Sequence, residues 1–183
     1  MGDATAWIDQ GRRARREGRP DDARRAYAEA IEACRGPAHR RLLLEALKGL
    51  AQIERDLGRP AAALPLYEEA VAVARQTDDP LALAHTMRHL GDVHRETGRN
   101  DLAEPSYREA LAIYRRHPET APLELANAIR PLAIVEERAG RSAEARRLWH
   151  EARDLYAAAG VEAGYAECAS RMEALPETGE PLP

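Results

Sequence analysis

The sequence of 183 residues contains no phenylalanine, and its aromatic side chains are limited to two tryptophans and six tyrosines. A chain so poor in large aromatic residues does not suit a β-sandwich core, so we expect helices that pack through alanine and leucine. Lysine is almost absent, since Lys48 is the only one and all other basic residues are arginines. The formal net charge of −4 gives no global attraction to nucleic acid or to an anionic membrane.

Cysteine and long apolar runs are also scarce. Cys34 and Cys168 stand alone without CxxC spacing, and we expect both to be buried free thiols in helices. No stretch approaches the ~20 apolar residues that span a bilayer, and the first residues lack the basic end and apolar run of a secretory signal. The sequence therefore predicts a cytoplasmic protein that does not bind membranes.

Motifs of the common catalytic and cofactor sites are missing from the sequence. It contains no P-loop, no dinucleotide-binding glycine pattern, no GxSxG and no HExxH. We therefore expect a protein that is not an enzyme and that uses no cofactor.

What the sequence does contain is a pattern of glycine, arginine, alanine and an aromatic residue that occurs four times. Its form is Gly-Arg-x-x-x-Ala-x-x-x-(Tyr/Trp)-x-x-Ala, and it begins at Gly18, Gly58, Gly98 and Gly140. Successive glycines are 40, 40 and 42 residues apart. A regular period of this length indicates an array of repeated structural units rather than one globular core.

Each copy of the pattern is typical of two helices joined at the glycine. Glycine adopts the left-handed conformation that ends a helix without the steric penalty of a Cβ atom. Two residues later stand Pro20, Pro60, Asn100 and Ser142, which favour the start of a second helix. The two alanines and the aromatic residue lie at i, i+4 and i+7, on one face of that helix. We therefore predict a helical hairpin in every repeat.

The sequence resembles the tetratricopeptide repeat (TPR) family, whose signature is W-x2-L-G-x2-Y followed by A-x3-F. The third repeat is the clearest copy, with the signature positions Met87, Leu90, Gly91, Ala103 and Tyr107. The period exceeds the family's usual length of about 34 residues, so the chain is similar to the long-period type found in kinesin light chains. The signature tyrosine is replaced throughout, by Ala14, Glu54, His94 and Glu136.

The resemblance implies an all-α fold, an α-solenoid that forms a right-handed superhelix. We predict a single repeat domain over residues 1–175, with repeats at 4–36, 37–78, 79–117 and 118–159. A capping helix is expected at 161–175, with Tyr165 on the face that covers the fourth repeat, and a disordered tail at 176–183. Nine helices are predicted, at residues 4–17, 21–34, 38–57, 61–76, 80–97, 101–116, 121–139, 143–159 and 162–174.

The resemblance also implies that the first helices of the hairpins line a concave groove that binds the partner. The groove positions expected to contact it are Arg12, Lys48, Gln52, Arg55, His85, Arg88, His89, Asp92, Arg95, Asn127, Arg130 and Ile134. Among these, Lys48, Arg88 and Arg130 share one repeat position and would form a cationic row suited to an acidic peptide. The alternative is a solvated face whose charges pair internally, as Arg88 and Asp92 could at i, i+4.

A pair of histidines in the third repeat raises the question of a metal. His85 and His89 have the i, i+4 spacing that can hold a transition metal from one helical face. No carboxylate or thiol completes a recognisable ligand set, so ordinary hydrogen bonding is favoured and no metal site is predicted.

Taken together, these features predict a noncatalytic interaction scaffold that binds a peptide or protein segment, acidic in character, in a basic groove. Nucleic acid is not expected as a partner, because the groove positions lack aromatic residues for base stacking. Two alternatives stay open. One is a structural protein that forms a homodimer through an uncovered first repeat at Trp7 and Ile8, and the other is a regulatory protein that senses a peptide.

Overall fold

The computed structural model describes residues 3–176, and over this range the chain forms nine α-helices and one short 3₁₀ turn. The helices are α1 Ala4–Arg16, α2 Pro20–Ala33, α3 Arg40–Asp56, α4 Pro60–Ala74, α5 Pro80–Glu96, α6 Asn100–Arg116, α7 Pro122–Arg138, α8 Ser142–Ala158 and α9 Glu162–Ala174, and the 3₁₀ turn is Pro37–His39. The all-α repeat fold and its helix order are therefore confirmed. Most of the tail predicted at 176–183 lies outside the described residues. In the described range every helix is too short or too polar to cross a membrane.

The chain divides into two compact units, Met1–Arg99 with α1 to α5 and Asn100–Pro183 with α6 to α9. In the first unit each helix packs against the next in sequence, and α1 also packs against α3. In the second unit α7 packs against α6 and α8, and α8 packs against α9. Within each unit, therefore, helices that follow one another in the sequence pack side by side.

The glycines of the recurring pattern end the first helix of each hairpin, as predicted. Gly18 has a φ of 69° and donates its N–H to the carbonyl of Arg15, while the N–H of Arg19 donates to the carbonyl of Ala14. This pair of bonds is the Schellman motif, which satisfies carbonyls that the helix end leaves open. The same arrangement occurs at Gly58, Gly98, Gly140 and Gly160. Gly160 lies outside the recurring pattern, so the Schellman motif before α9 was not predicted, although the break between the two helices was.

The second helices pack through the face that their spacing predicted. The aromatic residues Tyr27, Tyr67, Tyr107 and Trp149 are all buried. The flanking alanines are fully buried at Ala23, Ala30, Ala63, Ala70, Ala103, Ala110, Ala145 and Ala152. These small residues allow close approach of the helices, and the aromatic ring fills the space between them.

The ring of Tyr27 lies between two glycines of neighbouring helices. A Cβ atom added at Gly11 in α1 would lie 2.9 Å from Tyr27 Cε1, and one added at Gly49 in α3 would lie 2.4 Å from the same atom. Real Cβ atoms do not approach other atoms so closely. Both positions must therefore lack a side chain for Tyr27 to sit between α1 and α3.

Two predictions about the ends of the repeat array are wrong. Ile8 is only 1% exposed and belongs to the core of the first unit, because α1 packs against both α2 and α3. Trp7 is half-buried and packs against the same core, so these two residues do not form an uncovered apolar edge. In α9, Tyr165 is 43% exposed, and the residue that this helix buries is Cys168.

Candidate functional site

The first helices of the first three hairpins, α1, α3 and α5, lie in Met1–Arg99 and carry polar side chains that meet across one face. The Nη2 atom of Arg12 lies 2.9 Å from Glu45 Oε2, which joins α1 to α3. The Nη2 atom of Arg55 lies 2.5 Å from Glu96 Oε1, which joins α3 to α5. We call this surface the first-helix face, and its members are Arg12, Arg15, Arg16, Glu45, Lys48, Gln52, Arg55, Asp56, His85, Arg88, His89, Asp92, Arg95 and Glu96.

Arg55 is the centre of the part of this face formed by α3 and α5. Its side chain is 15% exposed, and Nε and Nη2 donate to the two carboxylate oxygens of Glu96 at 3.1 and 2.5 Å. Nη2 also lies 3.7 Å from Asp92 Oδ2, and Nη1 lies 3.2 Å from His89 Nδ1. Burial acts to lower the pKa of Arg55, but the bond to Glu96 and the two nearby carboxylates outweigh it and raise the pKa. Arg55 is therefore a fixed cation.

Two histidines extend this cluster along α5. His89 stacks on Tyr67 with ring centroids 5.7 Å apart, and its ring meets that of His85 edge-on at 4.5 Å. Burial, followed by the nearby charge of Lys48, lowers the pKa of His85 to about 2. His85 is therefore uncharged at neutral pH.

Asp92 balances the cations around it. Its Oδ2 atom lies 3.4 Å from His89 Nδ1 and 3.6 Å from Arg88 Nη1. Burial acts to raise the pKa of Asp92, but the hydrogen bond with His89 and the neighbouring positive charges outweigh it and lower the pKa. Asp92 is therefore ionised, and the predicted i, i+4 pairing of Arg88 with Asp92 is confirmed.

The two histidines do not assemble into a metal site. No group of three or more histidine, cysteine or acidic side chains suited to a metal occurs among residues 3–176. The ring nitrogens of His89 already face other groups, Nδ1 towards Arg55 and Asp92 and Nε2 towards Arg88 at 3.0 Å.

The structure brings together half of the residues predicted for the groove. Those in the cluster are Arg55, His85, Arg88, His89 and Asp92, together with Gln52, which accepts a hydrogen bond from the Tyr67 hydroxyl beside His89. Arg12, Lys48 and Arg95 lie on the same three helices of the first unit, and Asn127, Arg130 and Ile134 lie on α7 of the second. Asn127 Oδ1 accepts a hydrogen bond from the Tyr156 hydroxyl at 3.0 Å, and Ile134 is half-buried.

The predicted row of Lys48, Arg88 and Arg130 does not consist of unpaired cations. Arg130 donates from Nε and Nη2 to the two oxygens of Glu167 at 2.7 and 2.8 Å. Arg88 is paired with Asp92, and Lys48 also has an interaction with a neighbour. The alternative of internal charge pairing is therefore confirmed for both arginines.

A family model assigns the central part of the chain. Residues 42–116, which include the Arg55 cluster, match the model described as tetratricopeptide repeat. Residues 42–116 are therefore assigned to the tetratricopeptide-repeat family. No curated protein sequence matches it.

Solved structures with the same fold extend over nearly the whole chain. The apo form of RapI aligns with a TM-score of 0.86 at 12% identity, covering 96% of this chain and 64% of RapI. BtubC from P. vanneervenii aligns with a TM-score of 0.68 at 18% identity, covering 98% of this chain and 92% of BtubC. Nearly identical kinesin light chain TPR-like repeats from Podosopora anserina align at 0.67 and 18% identity, covering 95% of this chain and 96% of that one. At these identities the likeness shows a shared fold.

A buried glutamate stands at the position of the signature tyrosine in two repeats, and in the fourth repeat it binds the arginine of the Gly-Arg pattern. Glu136 is fully buried, accepts a hydrogen bond from Arg108 Nη2 at 2.5 Å, and is also bonded by Arg141 Nε. Arg141 follows Gly140 and lies five residues after Glu136. Its side chain therefore folds back over the turn onto the preceding helix.

The second repeat has a looser version of this arrangement. Glu54 is 4% exposed, and its Oε1 atom accepts from Arg24 Nε at 2.5 Å. Its Oε2 atom has no hydrogen-bond partner, although Arg59 Nη1 of the Gly-Arg pattern lies 3.8 Å away. These glutamate–arginine pairs were not predicted. The signal for them was a glutamate that stands five residues before the arginine of the Gly-Arg pattern in two of its four copies.

Proposed function

We propose that this TPR protein is a noncatalytic interaction module that binds a segment of another protein on the first-helix face. The observation that carries the proposal is that the polar side chains of α3 and α5 are held in place by one another. The side chains of Arg55, Arg88, His89 and Asp92 are only 13–16% exposed and are joined by ion pairs or hydrogen bonds. A surface fixed in this way loses little conformational entropy on binding, which favours affinity and specificity.

The charge of this face favours an acidic segment as the ligand. Its basic members outnumber its acidic members, although the whole chain has a formal net charge of −4. The acidic members are Glu45, Asp56, Asp92 and Glu96, and the basic members are Arg12, Arg15, Arg16, Lys48, Arg55, Arg88 and Arg95. Complementary charge mainly raises the association rate and excludes wrong partners, so binding should weaken as salt increases.

The proposal is tested by affinity purification of the tagged chain from its native cells, comparing two charge reversals. Lys48→Glu alters the first-helix face, whereas Arg25→Glu alters α2, where the side chain is 74% exposed. We expect the partner to be depleted about tenfold with Lys48→Glu, in line with one charge contact, and retained with Arg25→Glu. Equal recovery with both variants, each folded by circular dichroism, would refute the assignment of this face.

A further inference from the structure

A cleft of about 330 Å³ opens at the α1 end of the first-helix face, lined by Arg12, Arg15, Arg16 and Tyr27. Arg15 Nε lies 2.9 Å from Asp56 Oδ2, so the two Nη groups of Arg15 take no part in this ion pair. Arg16 forms no ion pair with any residue of the described chain, and the Tyr27 hydroxyl makes no hydrogen bond there. The cleft therefore offers hydrogen-bond donors that the fold does not use.

Comparison with the other repeats shows that this concentration of cations is specific to the first. Three equivalent positions lie six, three and two residues before the glycine of the recurring pattern. They hold Arg12, Arg15 and Arg16 in the first repeat and Gln52, Arg55 and Asp56 in the second. They hold Asp92, Arg95 and Glu96 in the third repeat and Ile134, Glu137 and Arg138 in the fourth. Only the first repeat has three basic residues at these positions.

In the second repeat, where the equivalent positions hold Gln52, Arg55 and Asp56, the tyrosine that corresponds to Tyr27 already has partners. The Tyr67 hydroxyl donates to Gln52 Oε1 at 3.3 Å, and His89 stacks on the Tyr67 ring. In the first repeat the residue equivalent to His89 is Gly49, and the Tyr27 ring lies directly against it. The Tyr27 hydroxyl is consequently left facing the arginines.

The charges around the cleft leave one cation without a partner. Arg12 is shared between Asp9 at 3.2 Å and Glu45 at 2.9 Å, and Arg15 is paired with Asp56. Burial raises the pKa of Tyr27, although the three arginines oppose the effect, so the hydroxyl stays protonated and can donate a hydrogen bond.

We infer that this cleft binds a single carboxylate of the acidic partner segment, with Arg16 supplying the charge and with Arg15 and Tyr27 donating hydrogen bonds. Arginine pairs with carboxylates in a bidentate geometry, which gives such a site both strength and direction. Arg16 is the one arginine of the cleft that forms no ion pair within the described chain, and a single carboxylate can supply that pair. A phosphate dianion would bring a second negative charge next to Arg12 and Arg15, which Asp9, Glu45 and Asp56 already neutralise. The inference rests on the proposed function and gives the first-helix face a defined anchor point.

The test is a titration of the full chain with acetylated, amidated tetraglutamate, followed through the arginine Nε–Hε signals in NMR spectra. Tetraglutamine and inorganic phosphate serve as separate ligands. The site variants are Arg16→Gln and Tyr27→Phe, and the matched control is Arg138→Gln, which removes the arginine from the equivalent position of the fourth repeat. We expect tetraglutamate to shift the signals of Arg15 and Arg16, and tetraglutamine to shift neither.

Arg16→Gln should weaken tetraglutamate binding about tenfold or more, because it removes a charge-assisted hydrogen bond. Tyr27→Phe should weaken it about threefold, as expected for the loss of a neutral hydrogen bond, and Arg138→Gln should have no effect. Equal loss with Arg16→Gln and Arg138→Gln, or tighter binding of phosphate than of tetraglutamate, would overturn the assignment. If Lys48→Glu abolishes partner binding while Arg16→Gln leaves tetraglutamate binding intact, the anchor is wrong and the proposed function stands.

Discussion

Replacing the buried glutamates by glutamine should cost more stability at position 136 than at position 54. Both oxygens of Glu136 accept hydrogen bonds from arginines, so the amide group of glutamine would place an N–H donor against a guanidinium donor. At Glu54 only Oε1 accepts a hydrogen bond, and Oε2 has none. Glutamine can therefore take that place with its oxygen still facing Arg24.

The size of the difference follows from these contacts. Glu136→Gln loses one charge-assisted hydrogen bond in a fully buried setting, which corresponds to about 1.5–3 kcal/mol. Arg108 and Arg141 are 47% and 46% exposed, so water can solvate the released guanidinium and the larger penalty of a stranded buried charge does not arise. Glu54→Gln keeps its one hydrogen bond, weakened by the loss of charge, and should cost about 1 kcal/mol or less.

Urea denaturation followed by tryptophan fluorescence measures both changes. Trp149 reports on the unit that contains Glu136, and Trp7 reports on the unit that contains Glu54. Each substitution should therefore be measured in a background that retains only the tryptophan of its own unit. If Glu54→Gln proves as costly as Glu136→Gln, the two hydrogen-bonding arrangements do not differ as described, and the reasoning fails.

Three further predictions concern the core, the pH response and the last helix. Gly49→Ala should destabilise the first unit by about 1–3 kcal/mol, since its Cβ would meet the Tyr27 ring, whereas Gly36→Ala, with nothing within 4 Å and no positive φ, is the control in the same denaturation assay. His85 has a folded pKa of about 2, below its ordinary value, so the unfolded chain takes up the proton first. His85 should therefore contribute a loss of up to about 1.4 kcal/mol of stability for each pH unit below about 6.5. In pH-dependent unfolding, His85→Gln should remove this contribution and leave that of His89, whose pKa burial also lowers. Arg146 donates to the carbonyls of Met172, Leu175 and Pro176 at 2.8–3.0 Å. Arg146→Ala should therefore speed hydrogen exchange at the end of α9 about tenfold or more, whereas Arg147→Ala, which removes only exposed pairs, should not.

The sequence was sufficient for the helices, because their ends are determined locally. Gly18 and the residues around it specify a Schellman turn without help from distant parts of the chain. Pro20 and Pro60 begin α2 and α4, one residue before the predicted starts. The burial of Ile8 was not predictable in the same way. It depends on α1 packing against α3, a contact between residues far apart in the sequence.

The candidate site was predicted as a set of positions but not as a network. The repeat register placed Arg55 and His89 on first helices, and they do lie together. The partners that neutralise the predicted cations come from other helices, as Glu167 of α9 does for Arg130. An ion pair between two helices depends on how closely the helices pack and on which side chains then meet. The positions of residues along a single helix do not give this information.

The most direct test of the account is photocrosslinking from single positions of the chain in its native cells. A photoreactive phenylalanine analogue replaces Glu45, which lies on the first-helix face, or Glu69, which is exposed on α4. We expect one dominant crosslinked partner from position 45, mapped by mass spectrometry to an acidic segment, and none of that partner from position 69. Crosslinks to that partner from position 69 with none from position 45 would contradict it.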